Sequence, residues 1–366
     1  MSYSVSQMAL DATVFPKAYA SARATWLAKT SQQICHVQHH TYPCAEHFGP
    51  NGEALITDAA WFGPEDASRV LVLIGGTHGI EGFVGSAVEI DHLTLMTAGL
   101  VRLPADSAML MIHALTPWGY AWYRRCDQNG VDLNRNHVDF SQALPLNAGY
   151  EALRPVLFSA DAEARKQMLE TFARQHGRTA LECALSGGQY QDPLGPFYGG
   201  NRPAHGRLVC EQLMRHYALA ERNLAVIDLH SGLGSFGYGE VICDHDPESP
   251  ATARARQWYG ESVALPALGT SSSVPKTGLL DYAWHAIMND RSCYITLEFG
   301  TFSTNQLFDV LLRDHQLWAQ SGNENARAAH RKVMLHHFCP DDQAWKEMVL
   351  FRARQVIAQA LQGLSS

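Results

Sequence analysis

The sequence predicts an α/β fold: one mixed, mostly parallel sheet with helices on both faces. Three observations carry this. Short apolar runs, several rich in β-branched residues, recur at 70–74, 108–114, 224–229 and 294–299, and such runs read as strands covered on both faces. Longer stretches with helical periodicity alternate with them, the pattern of a parallel sheet with crossover helices. The chain of 366 residues is 46% hydrophobic and 17% charged, which supports a large core and argues against disorder.

Taken in order, residues 15–29 carry good helix formers at helical spacing. Residues 36–61 predict two short strands around a turn at Phe48-Gly49-Pro50-Asn51-Gly52. The strand 70–74 leads through two glycines to residues 82–97, a helix with an apolar face. Strands follow at 108–114, 224–229, 240–243 and 294–299, with helical patterns at 160–175, 206–218, 251–258, 304–319 and 343–361. The segment 186–203, rich in Gly, Pro and aromatics, predicts an ordered loop, either a substrate wall or a surface connection. No repeat, low-complexity tract or linker stands out. Residues 1–366 read as a single domain, with the helix and strands of 1–65 and the helices of 304–366 packed on it.

Composition narrows the partners. The net charge is −8 and no long basic block occurs, so nucleic acid and anionic membrane are not expected. The eight cysteines are scattered without a Cys-x-x-Cys pair, as reduced thiols are. Residues 1–33 lack a basic start followed by an apolar core, so no secretory signal is visible. No apolar run approaches the roughly 20 residues of a membrane span. The expectation is a soluble, cytoplasmic protein; its oligomeric state stays open.

Chemistry concentrates after the first buried strand, at Gly75-Gly76-Thr77-His78-Gly79-Ile80-Glu81-Gly82. Two glycines allow a sharp turn. His78 and Glu81, three apart, can then converge on one ion, and imidazole and carboxylate are both ordinary zinc ligands. The alternative is a turn that carries polar residues. His230 closes the apolar strand of Ala225-Val226-Ile227-Asp228-Leu229-His230, which places it at the same sheet edge, where ligands of open parallel sheets bind. A His, Glu, His set leaves the fourth zinc position open, the catalytic arrangement. Arg124, Arg125 and Arg135 fall within a turn-rich stretch beside Asn134; a guanidinium fork suits a carboxylate, and the alternative is a solvated loop. Glu298 interrupts the last apolar strand, and a buried carboxylate needs a partner or a role.

Together these residues resemble the zinc carboxypeptidase superfamily, which contains carboxypeptidase A and the succinylglutamate desuccinylase/aspartoacylase enzymes, and within it a poorly characterised bacterial branch. The resemblance runs from about 70 to 302, and Asp132-Leu133-Asn134-Arg135-Asn136 is its most distinctive piece. It implies a mixed, mostly parallel sheet between helices and one Zn2+ held by His78, Glu81 and His230. It further implies that Asn134 and Arg135 hold a substrate carboxylate, that Glu298 is the catalytic base, and that Asp132 orients the first zinc histidine. Arg125 matches the oxyanion-stabilising arginine by spacing, with Arg124 as the alternative. Two departures stand out. Thr116-Pro117 occupies the place of the family's Asn-Pro, and Ser273 falls where carboxypeptidase A has a mobile tyrosine. Lys276, Leu279 and Leu280 align with the specificity pocket, where a lysine could favour an acidic side chain.

The implied activity is zinc-dependent hydrolysis of an amide bond next to a free carboxylate, first as a metallocarboxypeptidase acting on a short peptide. Alternatives are a zinc N-deacylase of an N-acyl amino acid and a non-catalytic zinc- or ligand-binding protein. The helical tail favours the peptidase, because deacylases of the superfamily often carry an extra C-terminal β-domain. A dinucleotide-binding reading rests on Gly232-Leu233-Gly234-Ser235-Phe236-Gly237, but the fingerprint must open a helix and a strand is predicted next. His36, His39, His40 and His47 read as surface histidines, and Asp244-His245-Asp246 as a solvated loop. No G-x-S-x-G elbow or Walker loop occurs.

Overall fold

The computed structural model describes residues 9–159 and 161–366. Residues 1–8, the start of the stretch in which no secretory signal is visible, and Ala160, the expected first residue of one helix, lie outside the described residues. Seven strands form one sheet: β1 (Val37–Phe48), β2 (Ala54–Phe62), β3 (Arg69–Gly75), β4 (Ser107–His113), β5 (Asn223–Ser231), β6 (Gly239–Ile242) and β7 (Cys293–Phe299). Twelve α-helices occur among the described residues. They are α1 (Tyr19–Ser31), α2 (Gly82–Thr97), α3 (Pro117–Trp122), α4 (Ala148–Leu157), α5 (Ala162–His176), α6 (Arg178–Ser186), α7 (His205–His216), α8 (Pro250–Tyr259), α9 (Asp281–His285), α10 (Thr304–Trp318), α11 (Glu324–Phe338) and α12 (Gln343–Leu364). None of the described helices is long and apolar enough to cross a membrane.

The strand order is β1-β2-β4-β3-β5-β7-β6. The central four strands, β4, β3, β5 and β7, run parallel to one another. The β1–β2 hairpin joins one side antiparallel and β6 joins the other antiparallel. Side chains alternate between the two faces as a pleated strand requires. Leu71 and Leu73 of β3 face Trp26, Phe83 and Leu350 in the core under α1, α2 and α12. Val70, Val72 and Ile74 face Val209, Leu213 and Trp284 in a second core under α7 and α9. Both faces are therefore covered, which explains the nearly continuous apolar runs of the parallel strands.

The expected strands are all present, with ends shifted by a residue or two, and the chain after β7 is helical as its pattern predicts. Helices α3, α4, α6, α9 and α11 were not expected. Pro117 opens α3 at its first turn and Pro155 lies within the last turn of α4; both prolines read locally as breakers. Helices α4, α5 and α6 build a small satellite core of Tyr150, Leu153, Leu157 and Leu185 against Leu312 of α10.

The loops at the carboxyl ends of β3, β5 and β7 meet. His230 and Glu298 are direct partners in the parallel register of β5 and β7, so the two side chains stand on one face of the sheet. The loop after β3 is clamped: Gly79 N and Ile80 N donate to the carbonyls of Arg125 (3.0 Å) and Arg124 (2.8 Å). A Cβ at Gly79 would lie 2.2 Å from the carbonyl carbon of Gly119. Gly79→Ala should therefore force the loop off its seat and destabilise the protein by about 1–3 kcal/mol, read as a lower urea midpoint at unchanged m-value. An unchanged midpoint would mean that this close approach does not hold the loop.

Candidate metal centre

Gly76, with φ of 74°, turns the chain at the end of β3, a left-handed conformation that glycine adopts without strain. The carbonyls of Gly75 and Gly76 accept from Leu115 N (3.0 Å) and Thr116 N (2.8 Å), and Thr116 Oγ1 donates to the Thr77 carbonyl at 2.8 Å. Thr116 thus ties down the approach to His78. A single 3-10 turn, Gly79–Glu81, then brings Glu81 back beside the imidazole.

His78, Glu81 and His230 are 2%, 1% and 2% exposed, and one donor atom from each lies within 4.8 Å of the others. His78 Nδ1 is 2.9 Å from Glu81 Oε1, His230 Nδ1 is 3.0 Å from Glu81 Oε2, and the two Nδ1 atoms are 3.2 Å apart. Each far nitrogen meets a carboxylate: His78 Nε2 lies 3.1 Å from Asp132 Oδ1, and His230 Nε2 lies 2.7 Å from Asp228 Oδ2. Asp228 was not assigned from sequence, yet the signal was there: two positions before His230 in a strand, it shares that face. Thr77 Oγ1 and Tyr294 OH, each at 2.7 Å, fix its two oxygens.

The electrostatics fit a cation. Burial alone would raise the Glu81 pKa, but the two imidazoles hold it well below the usual carboxylate range. Burial alone would lower that of His230, but Asp228 and Glu81 raise it well above the usual imidazole value. The carboxylate at His230 Nε2 favours the Nε2–H tautomer of that ring, which turns its Nδ1 lone pair towards Glu81. Two imidazole nitrogens and a carboxylate oxygen with a carboxylate behind each ring are a suitable donor set for zinc.

A cavity opens beside this set, lined also by Arg125, Asn134, Arg135, Lys276, Leu279 and Glu298. Arg125 donates to Asp132 Oδ2 (2.9 Å) and Glu81 Oε1 (3.1 Å), and its Nη2 lies 2.7 Å from His78 Nε2. Arg124 turns the other way, donating to Asp314 at 2.7 Å with its guanidinium over the Trp318 ring. Arg135 is fully buried; its Nε and Nη2 donate to the Ser186 carbonyl at 3.0 and 2.8 Å, and no carboxylate forms an ion pair with it among the described residues. Asn134 Oδ1 accepts from Leu280 N at 2.7 Å, which leaves its amide N–H groups free to donate. Glu298 Oε1 accepts from Leu233 N at 3.1 Å; burial and the nearby Glu81 push its pKa up to about 8.

Several sequence expectations need correction. Leu280 does not line the cavity: it packs in the second core, and only its backbone reaches Asn134. Asp244 lines the cavity, and His245 is buried, stacked on His285 with ring centroids 3.6 Å apart. That segment is therefore not a solvated loop, because β6 carries it inward at the sheet edge. His40 is half-buried and shares a 2.7 Å hydrogen bond with Tyr217 OH. The loop 186–203 supplies the cavity residues Ser186 and Phe197. The glycine-rich segment 232–237 runs into strand β6, as expected from the sequence.

The profile of the family described as "Protein of unknown function (DUF2817)" matches residues 15–352. The chain belongs to the DUF2817 family. No curated protein sequence matches it. Among solved structures, the DUF2817 chain is similar to bovine thrombin-activatable fibrinolysis inhibitor, crystallised with tick carboxypeptidase inhibitor, with a TM-score of 0.50 and 9% identity over 95% of this chain and 97% of that one. It is also similar to carboxypeptidase A from Helicoverpa armigera (TM-score 0.48, 13% identity, 87% of this chain and 73% of that one). A third neighbour is succinylglutamate desuccinylase from Chromobacterium violaceum (TM-score 0.36, 14% identity, 87% of this chain and 77% of that one). At 9% identity, the first likeness is one of fold: the DUF2817 chain has the carboxypeptidase-like α/β architecture.

If Asp228 orients His230, Asp228→Asn should weaken zinc affinity about 10–100-fold, measured by competition with a chromophoric chelator, with the far-ultraviolet circular dichroism unchanged. Wild-type affinity in that variant would remove Asp228 from the centre.

Proposed function

We propose that this DUF2817 protein is a zinc-dependent hydrolase that cleaves an amide bond next to a free carboxylate, most directly as a carboxypeptidase acting on a short peptide. The observation that carries the reading is the placement of Glu298. It stands one strand over from His230 on the same sheet face, in a cavity with a buried cation that no protein carboxylate pairs. His78, Glu81 and His230 would hold the ion. When bound, zinc supplies Lewis acidity and lowers the pKa of a coordinated water toward about 7.

The chain's own groups supply the rest. Glu298 is desolvated beside Glu81, which pushes its pKa up to about 8; a carboxyl group held close to the operating pH suits a group that takes a proton from the attacking water and returns it to the leaving amine. Arg125 points two N–H groups at the centre from its anchor on Asp132, and positive charge there stabilises the oxygen on which negative charge develops. Arg135 and the Asn134 amide present donors to a substrate carboxylate and so position the scissile bond. The charge of Arg135 is costly where it lies: burial and Arg125 bring its pKa down to about 10. A bound carboxylate relieves that cost. Lys276 sits half-buried at the cavity wall, hydrogen-bonded to Ser273 and to the Val274 carbonyl, and favours a substrate with an acidic side chain.

His78 Nε2 lies between an acceptor on Asp132 and a donor on Arg125, which ask for opposite tautomers.

Glu298→Gln should keep one zinc per chain and lose about 10²–10⁴-fold in kcat, whereas Arg135→Met should act chiefly on KM. The assay is a dipeptide series run beside N-acetyl and N-succinyl amino acids, which also separates peptidase from deacylase. Near-normal turnover by zinc-loaded Glu298→Gln would remove Glu298 from the role of base.

A further inference from the structure

We infer that the groove bounded by α5, α6 and α10 is an extension of the substrate site and takes an acidic peptide segment. The inference rests on the amide-hydrolase reading for the identity of the ligand. It goes beyond that reading in placing a second binding surface on helices that contribute none of the proposed zinc ligands or reacting groups.

Size is the first argument. The cavity beside the histidines holds about 80 Å³, room for little more than a terminal group. The groove holds about 700 Å³, within the range of sites that bury a sizeable ligand. The two are adjacent, because Glu182 and Phe308 line both. They are also mechanically joined: Ser186, the last residue of α6, carries the carbonyl that holds Arg135. The nine residues of α6 span roughly 13 Å, the length of about four extended peptide residues.

Chemistry selects the occupant. Leu169, Leu181, Leu185, Leu312 and Phe308 form an apolar floor, the open edge of the satellite core. Arg165, Lys166, Arg174, Arg178 and Arg313 surround it, five cations on a chain whose net charge is −8. Three carboxylates share the groove, Glu170, Glu182 and Asp309. Glu170 is spent on Arg174 at 4.0 Å, whereas Lys166 and Arg313, both exposed, form no salt bridge among the described residues. An apolar floor under a basic rim complements a peptide that alternates acidic and apolar side chains, with rim charges steering its approach. A nucleic acid would use the rim and leave the leucine floor unmatched.

The test is fluorescence anisotropy on zinc-loaded Glu298→Gln protein, so that the probe is not consumed. The probes are a labelled octapeptide alternating Glu and Leu, and its Lys/Leu counterpart. At low salt the acidic probe should bind at least tenfold more tightly than the basic one. Adding Lys166→Glu, Arg178→Glu and Arg313→Glu together should abolish that preference without changing Tm, and with Glu298 restored the same triple change should leave turnover of a dipeptide unaltered. Equal affinity for both probes, or wild-type preference in the triple variant, would overturn the inference. Displacement of the acidic probe by an oligonucleotide of equal charge at equal concentration would also overturn it. Acidic-probe binding with no hydrolysis of any substrate would instead keep the groove and reject the hydrolase reading.

Discussion

A buried carboxylate facing two imidazole nitrogens across about 3 Å is the interaction on which the rest of the site depends. Asp132 and Asp228 stand at the outer nitrogens, and the inner nitrogens of both rings face Glu81. Such an arrangement is stable only around positive charge, a proton or a metal ion. The surrounding structure works to keep the three groups there: Thr77 and Tyr294 fix Asp228, Arg125 fixes Asp132, and Thr116 fixes the backbone that presents His78.

The sheet makes this possible. Parallel strands deliver their carboxyl ends to one edge, and the register of β5 with β7 makes His230 and Glu298 neighbours although they lie far apart in sequence. Glu81 and Glu298 share the site, and the negative charge that stabilises a cation at Glu81 also opposes ionisation at Glu298. A cation held at Glu81 would offset the charge at both carboxylates. Arg125 and Arg135 add positive charge to the lining of the cavity, on a chain that is acidic overall.

Much of this was legible in the sequence, for local reasons. Strands buried on both faces leave continuous apolar runs, and a glycine pair followed by His78 and Glu81 marks a turn with convergent ligands. Asp228 was legible in principle, since the two-residue period places it with His230. What stayed hidden depends on long-range packing. Arg124 and Arg125 are adjacent in a loop, and only the position of Asp314, on a helix 190 residues later, decides which of them enters the cavity. Asp244 and His245 look solvated beside Pro247 until the edge strand β6 turns them inward. Helices α4 and α6 were masked by Pro155 and by a short, glycine-flanked sequence, and the groove that α5 and α6 form with α10 exists only once distant segments dock.

The central claim is that one ion is shared by His78, Glu81 and His230. Zinc-edge X-ray absorption on the purified, zinc-loaded protein tests it most directly. The account predicts two imidazole nitrogens at roughly 2.0–2.1 Å with the remaining scattering from oxygen, and loss of the imidazole signature in His78→Ala and His230→Ala. A spectrum with sulfur scatterers, or an imidazole signature that survives both substitutions, would place the ion elsewhere and contradict it.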